Sequence, residues 1–370
     1  MIEKKLLRPM RRYGWVAAVV LCALPAGLQA GDGDGDSKAN HDVSATVRTN
    51  RGPEPTYRVS VGFDGEVFPV FANYSSMLPA QKRDWGLVNV TISNPTDASI
   101  RNRITVRVPG WSDQEIQIVE LGAGEVRTFR FSPTFHERLY RNREIAGATA
   151  EVEVSSLTGP SIFATTAQLR LRSADDMYWG SQFKYAPFIA AWVTPHDLQV
   201  EKILSKAKEF APLRRLPGYE PWKGTSEQEK STSTQAKAIY NAIKRSGLSY
   251  VKSSTTFGRN LNVTQRVRMP NESLNQSAAN CIDASVMFAS LFENLGMDPV
   301  VVLVPGHAYV GVRVARGSQR YLFIDVALTG RATFESAVRS AETGLAKFGA
   351  NDITRIPIDQ ARDQGIYPMP

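Results

Sequence analysis

The sequence predicts two folded regions in series, the first built of β-strands and the second of helices and strands. Three observations support this fold class. Apolar and polar residues alternate between residues 56 and 180, which is typical of half-buried strands. From residue 181 the apolar residues adopt helical spacing and later return to strand-like runs. The chain of 370 residues is long enough for about two domains, each burying its own core.

Residues 1–30 are predicted to form an export signal. Basic residues come first, followed by the apolar stretch "WVAAVVLCALPA" and by small residues that end at Ala30 and allow cleavage. This stretch is too short to span a bilayer, so we expect a periplasmic or secreted protein without a membrane span after cleavage. The rest of the chain holds 39 basic and 35 acidic residues without a basic stripe, and no nucleic-acid partner is expected.

Residues 31–55 are predicted to be a disordered linker, because they are polar, rich in Gly and Asp, and lack apolar periodicity. Asp32, Asp34 and Asp36 resemble the start of a calcium-binding loop. However, Ser37 stands where such a loop needs its turn glycine, and no flanking helices follow. A solvated tail is therefore the better interpretation.

Residues 56–180 are predicted to form an immunoglobulin-like β-sandwich. Seven short stretches alternate apolar and polar residues, and turn residues such as Pro109-Gly110 separate them. The stretches are "YRVSVGF", "GLVNVTISN", "ITVRVPG", "EIQIVEL", "VRTFRFSP", "ATAEVEVSS" and "TTAQLRLRS". No cluster of His, Cys or acidic residues marks a site in this region, and His136 is interpreted as a surface residue.

Residues 181–370 begin with two predicted helices. Thr194 is expected to cap the first, with Pro195 at its first helical position, since apolar residues then follow helical spacing. The second helix, "TQAKAIYNAIKRSG", is expected to end at Gly247. Residues 252–279 are polar and are expected to form a loop.

The next predicted helix, "NCIDASVMFASLFENLG", carries the only cysteine after residue 30. Asn280 is a favoured N-cap and Gly296 the expected stop, so Cys281 falls at the first helical position. There the unpaired backbone N–H groups and the helix dipole favour a thiolate, the reactive form of the side chain. Asp283 is expected to serve the helix cap. An inert buried cysteine is the alternative interpretation. The residues that surround Cys281 distinguish a reactive thiol from an inert one.

Two strands after this helix supply candidate partners for Cys281. The stretch "DPVVVLVPGHAYVGVRV" predicts a buried strand that turns or bulges at Pro305-Gly306, next to His307. The stretch "RYLFIDVAL" places Asp325 in an apolar run, where a carboxylate is costly to bury unless it is hydrogen-bonded. An imidazole on a neighbouring antiparallel strand would satisfy it. The order helix, strand, strand predicts a catalytic thiol, base and orienting acid.

These residues resemble the transglutaminase-like superfamily, specifically its exported bacterial members. The resemblance lies in Cys281 opening a helix, His307-Ala308-Tyr309 on one strand, and Asp325 after the aromatic run "YLFI" on the next. The preceding "AKAIYNAIKRSGLSYV" is similar to the family's helix and tyrosine ahead of the nucleophile. The resemblance implies a papain-like α+β domain over residues 181–370. It also implies that Cys281 is the nucleophile, His307 the general acid and base, and Asp325 the residue that orients His307.

The sequence also differs from the family's pattern. The residues before the cysteine are Ala279-Asn280, where glycine is common, and Tyr309 replaces a frequent tryptophan. The resemblance implies a second oxyanion donor besides the Cys281 N–H, and Tyr250 and Gln276 are the candidates for it.

The expected function is that of an exported thiol enzyme acting on amide bonds of a protein or peptide. Water or an amine can resolve the acyl-enzyme, and the water-rich compartment favours hydrolysis. No metal or other cofactor is expected, since the remaining histidines are scattered and Cys281 has no partner at ligand spacing. Two alternatives stay open: a non-catalytic envelope scaffold or binding protein with an inactive domain, and a structural cysteine in a binding domain. The sequence does not specify the substrate or the oligomeric state.

Overall fold

A computed structural model describes residues 43–45, 53–251 and 264–370. The predicted export signal and most of the predicted linker lie outside these residues. The described chain is a mixed α/β structure with several sheets. None of its helices combines the length and the apolar character needed to cross a membrane.

The first region pairs its strands into two sheets. Its elements are β1 (Val43–Ala45), β2 (Thr56–Val61), β3 (Glu66–Val67), α1 (Pro69–Met77), β4 (Val88–Ser93), β5 (Ile100–Arg107), β6 (Glu115–Leu121), β7 (Val126–Phe131), α2 (Glu137–Tyr140), β8 (Ala146–Ser156) and β9 (Ser161–Leu171). One sheet has the order β1-β2-β4-β7 and the other β3-β9-β8-β5-β6. Neighbouring strands are antiparallel except β3 and β9. Each of the seven predicted strands is present; "EIQIVEL" coincides with β6, and the others have shifted ends.

One hydrophobic core receives side chains from both sheets of this region. Val90 and Ile92 of β4 point into it from one sheet, and Ile104 and Val106 of β5 from the other. This explains the alternating pattern, because in a strand every second side chain faces the core. The region is nevertheless not purely β. Helix α1 begins at Pro69, which fits the first turn of a helix, and its aromatic side chains pack away from this core.

The remaining helices and strands belong to the second region. They are β10 (Asp176–Tyr178), α3 (Leu198–Ala207), α4 (Thr225–Arg245), β11 (Ser249–Tyr250), β12 (Thr264–Arg266), α5 (Pro270–Gln276), β13 (Ala278–Ala279), α6 (Cys281–Asn294), β14 (Pro299–Val304), β15 (His307–Arg313), β16 (Tyr321–Ile324), α7 (Phe334–Leu345), β17 (Thr354–Pro357) and α8 (Ile358–Asp363). Strand β10 lies just before residue 181 and joins this region by pairing with β12. The last four strands form an antiparallel sheet in the order β16-β15-β14-β17.

This sheet lies between α6 and α7, and strand β14 shows why. Val301 and Leu303 pack into the core that contains α6, whereas Val300 and Val302 pack with Ala341 of α7. All six residues of β14 are buried. A strand covered on both faces needs an unbroken apolar sequence, and "PVVVLV" supplies it. The prediction of a buried strand here is confirmed.

Three details of the second region differ from the expectations. Helix α3 begins at Leu198 with Asp197 as its N-cap, because the Asp197 carboxylate accepts a hydrogen bond from the Gln199 N–H at 2.7 Å. The prediction of Thr194 as the cap was therefore wrong. Helix α4 begins at Thr225, well before the predicted stretch. Residues 264–279 form β12, α5 and β13 instead of a loop, because β10 and β11 provide pairing partners.

Candidate active site

The N-terminus of α6 is capped in the way the sequence predicts. The Asn280 side chain accepts hydrogen bonds from the backbone N–H groups of Ile282 and Asp283, each at 2.9 Å. Asp283 in turn accepts from the Asn280 N–H at 3.2 Å. These reciprocal bonds fix the first turn and place Cys281 at its start. Cys281 is a free thiol with 7% of its surface exposed.

The Asp283 carboxylate is directed to Arg268. It accepts from the Arg268 backbone N–H at 2.9 Å and from the guanidinium at 3.0 Å. Burial raises the pKa of Asp283, and the bonds from Arg268 and Asn280 oppose this rise. The expectation that Asp283 serves the cap is confirmed. Its negative charge is balanced by Arg268.

His307 and Asp325 meet across two antiparallel strands. Val304 pairs with His307, so Pro305 and Gly306 form a two-residue turn in which Gly306 adopts a φ of 80° that favours glycine. Asp325 directly follows β16, the neighbour of β15. The His307 Nε2 atom lies 3.0 Å from Asp325 Oδ1. The predicted contact between the imidazole and the carboxylate is therefore present.

Helix α7 holds the other side of Asp325. The Ser340 hydroxyl donates to Asp325 Oδ2 at 2.8 Å, and the Asp325 backbone N–H donates to the Ala337 carbonyl at 3.1 Å. Both carboxylate oxygens thus have partners, which offsets the cost of burying the group. Since α7 contributes both bonds, it fixes the carboxylate that faces His307.

The three side chains influence one another electrostatically. Burial alone would lower the pKa of His307, but the hydrogen bond to Asp325 and the negative charges of Asp325 and Cys281 raise it to about 9. Burial would raise the pKa of Asp325, yet the hydrogen bond and charge of His307 and the bond from Ser340 hold it below its usual value. Because Nε2 faces Asp325, Nδ1 is the nitrogen left for the thiol.

Tyr250 reaches Cys281 through a short parallel strand pair. Tyr250 of β11 pairs with Ala279 of β13, two residues before Cys281. Its phenol lies close enough to the Cys281 side chain for the charge of Cys281 to act on it. Burial and the charges of Cys281 and Asp325 raise the pKa of Tyr250, although 46% of the residue is exposed. Gln276, the other candidate oxyanion donor, lies exposed at the end of α5, and no hydrogen bond joins it to the triad within the described residues.

Tyr309 packs beside His307, a contact that the sequence reasoning did not predict. The two rings meet edge to face with centroids 4.6 Å apart. The Tyr309 hydroxyl reaches α7 at Gly344, where an added Cβ would lie only 2.2 Å from it. The sequence singled out Tyr309 only as the aromatic residue two positions after His307. Nothing in the sequence singled out Ser340 or Gly344.

The described residues contain no group of three or more His, Cys, Asp or Glu side chains suited to hold a metal ion. The chemistry that the site can perform with its own residues is nucleophilic. It offers a thiol, an imidazole whose pKa is raised, and a carboxylate that holds the imidazole.

Comparisons with known proteins add little to this geometry. Neither models of known protein families nor curated protein sequences match the chain. Among solved structures, the crystal structure of the exo-chitosanase CsxA of Amycolatopsis orientalis is matched at 13% identity with a TM-score of 0.20. The match covers 68% of this chain and 30% of that one. Such a low TM-score supports no conclusion about fold or function.

Proposed function

We propose that this chain is an exported thiol enzyme that acts on amide bonds of a protein or peptide through Cys281, His307 and Asp325. The observation that carries the proposal is the 3.0 Å contact between His307 and Asp325, together with the influence of Cys281 on the pKa of the same imidazole. These residues come from the start of a helix, the start of one strand and the end of the next, 26 and 18 positions apart in the sequence. Ordinary core packing does not require them to meet.

The first half of the reaction forms an acyl-enzyme. The Cys281 thiolate attacks the carbonyl carbon, and the carbonyl oxygen becomes an oxyanion. His307 then gives its proton to the leaving amine as the C–N bond breaks. The second half reverses these roles. His307 removes a proton from water or an acceptor amine, which attacks the thioester and releases Cys281. Asp325 keeps the imidazole oriented and stabilises its positive charge.

The proposal assigns two donors to the oxyanion. The first N–H groups of a helix lack intrahelical partners, and the Asn280 cap takes those of Ile282 and Asp283. The Cys281 N–H is therefore left for the substrate. The Tyr250 hydroxyl is the second donor, because the pairing of Tyr250 with Ala279 brings its strand towards Cys281. Two such donors are the usual means of stabilising the tetrahedral intermediate.

The proposal includes the finer assignment of the two regions. Residues 56–180 form an immunoglobulin-like sandwich, which is supported by the two sheets that share one core. Residues 181–370 form a transglutaminase-like, papain-like domain, which is supported by the order of α6, β15 and β16 around the triad. The predicted signal at residues 1–30 supports a periplasmic or secreted location.

Labelling of Cys281 with iodoacetamide tests the proposal. A free thiol is only a few per cent ionised at neutral pH, so a Cys281 thiolate paired with His307 should react about ten-fold faster or more than a free thiol. His307→Ala should remove this advantage. His136→Ala is the matched control, because His136 makes the same 3.0 Å contact with a carboxylate, that of Asp113, in the first region.

Slow labelling that does not change in His307→Ala would instead support a non-catalytic scaffold. If the enzyme is active, incubating a peptide substrate with and without an added amine separates hydrolysis from acyl transfer. Water as acceptor yields only the free acid, whereas a competent amine acceptor yields the new amide.

A further inference from the structure

An arginine stands on the turn that follows the triad aspartate. After Asp325 the chain makes a helical turn over residues 326–328 and then folds back on itself. The N–H groups of Arg331 and Ala332 both donate to the Leu328 carbonyl, at 3.0 and 2.9 Å. Arg331 is exposed on this turn.

The turn is held tightly against the segment that carries Tyr250. A Cβ at Gly330 would lie 2.5 Å from the Leu248 carbonyl oxygen, so the two backbones touch there. The Ala332 carbonyl accepts from Lys244 Nζ at 2.8 Å and from the Tyr240 hydroxyl at 3.3 Å, both on α4. The position of the turn beside Tyr250, and hence near Cys281, is therefore fixed by packing on two sides.

Arg331 adds a positive charge to this side of the site. It makes no ion pair with another described residue, whereas Lys237 of α4 is paired with Glu335 of α7 at 2.6 Å. Lys244 directs its ammonium to a carbonyl instead of a carboxylate. The charge of Arg331 reaches Tyr250, where it partly opposes the rise in the phenol pKa that burial causes. A guanidinium in this position is suited to a planar carboxylate.

We propose that Arg331 binds a carboxylate of the acyl donor next to the scissile amide, so that the enzyme acts on acidic substrates. This inference rests on the proposed function and names the substrate class of the same site. The carboxylate is either an acidic side chain or the free C-terminus of the donor peptide. Both would present the same two oxygens to the guanidinium.

Two alkylating reagents of similar size test the charge at Arg331. Iodoacetate is anionic and iodoacetamide neutral, and with each reagent the Cys281 sulfur forms a bond to the CH₂ carbon as iodide leaves. The rate constant for iodoacetate divided by that for iodoacetamide, measured at low salt, reports the local positive charge. Arg331→Gln should lower the ratio about three- to ten-fold, and Arg331→Glu should lower it further. Salt should reduce the difference between the wild type and these variants.

Arg355→Gln is the matched control, because Arg355 is an exposed arginine on β17, at the opposite edge of the sheet from β16. An unchanged ratio in Arg331→Gln, or an equal change in Arg355→Gln, would refute the inference. The ratio is defined at any absolute rate. Fast iodoacetamide labelling with an unchanged ratio thus overturns only the role of Arg331, whereas slow labelling overturns the proposed function.

Donor peptides then identify the source of the carboxylate. One peptide carries Glu beside the scissile amide, a second carries Gln there, and a third carries Gln with a free C-terminal carboxylate. A preference for the first or third peptide that is lost in Arg331→Gln names the source. Equal rates with all three peptides would contradict binding of an acidic donor.

Discussion

At the scale of single residues, the charge of His307 depends on two neighbours that act together. Burial disfavours the imidazolium, but the hydrogen bond to Asp325 and the negative charges of Asp325 and Cys281 favour it. The side chain is one quarter exposed, so solvent does not screen these interactions fully. The result is a pKa well above that of an ordinary histidine.

The raised pKa of His307 predicts a specific dependence of stability on pH. A histidine whose folded-state pKa is raised from 6.5 to about 9 contributes stability that is full below pH 6.5. This contribution, up to about 3 kcal/mol, is lost as the pH rises from 6.5 through about 9. Denaturant unfolding between pH 6 and 10 measures it. His307→Gln should flatten the curve in this interval, and an NMR titration of His307 should give a midpoint that falls in Asp325→Asn.

Ser340 provides a second prediction at this scale. Its hydroxyl donates to Asp325 Oδ2, and Ser340→Ala removes the bond. The bond contributes about 0.5–1.5 kcal/mol to holding Asp325 in its orientation. Its loss should slow iodoacetamide labelling of Cys281 about two- to ten-fold. Since the bond lowers the pKa of Asp325, the acid limb of the rate–pH profile should move to higher pH.

Ser336→Ala is the control for Ser340→Ala, because Ser336 lies one turn earlier on α7 and bonds to Thr333 and Arg339 instead of Asp325. It should leave the acid limb in place. A parallel shift in both variants would show that α7 acts only through general stability.

At the scale of elements, local residues cap α6 at both ends. Asn280 caps the start, and at the other end the N–H groups of Gly296 and Met297 donate to the carbonyls of Glu293 and Phe292. Gly296 adopts a φ of 68°, which this C-terminal motif requires. These local rules explain why the helix and the position of Cys281 could be predicted from the sequence alone.

Other elements could not be read from the sequence, because tertiary contacts create them. Strand β13 has only two residues, and it exists because β11 lies beside it. That pairing brings Tyr250 towards Cys281. The sequence could name Tyr250 as a candidate residue, but it could not predict this position. The same pairing leaves Gln276 outside at the end of α5. The pair of His307 and Asp325 could be predicted from the sequence, since a buried carboxylate next to an apolar strand requires a partner.

The packing of α7 on β15 gives a prediction for an element. Gly344 has an ordinary helical conformation, so its role is to leave space for the Tyr309 hydroxyl. Gly344→Ala forces the ring to move and should destabilise the protein by about 1–3 kcal/mol, with slower labelling of Cys281 as His307 loses its packing partner. Denaturant unfolding and labelling rates measure the two effects.

A second substitution distinguishes a steric clash with the Tyr309 hydroxyl from a change in helix α7 itself. Tyr309→Phe removes the hydroxyl that Gly344→Ala would meet, so the double variant should recover most of the stability. Gly349→Ala is the control, since its added Cβ would lie an ordinary 3.6 Å from the Asp352 side chain. Failure of Tyr309→Phe to rescue would place the effect of Gly344→Ala elsewhere on α7.

At the scale of the whole molecule, the two regions share one of the cores. Phe71 of α1, in the first region, packs against Phe188 of the second region with ring centroids 4.7 Å apart. Near the C-terminus, Arg362 of α8 donates to Glu293 of α6 at 2.9 Å and to the carbonyls of Ala190 and Val193. The helix that carries Cys281 is thus tied to the junction between the regions.

This shared core predicts that the two regions unfold together. Phe71 is 1% exposed, and Phe71→Ala should cost about 3–5 kcal/mol. Phe163→Ala is the matched control, because Phe163 packs within the core between the two sheets of the first region. If folding is cooperative, both variants lower the midpoint of a single thermal transition. The labelling rate of Cys281 then changes at the same temperature as that transition. Two separate transitions, with Phe163→Ala moving only one of them, would show instead that the regions fold independently and that the junction is a contact between finished domains.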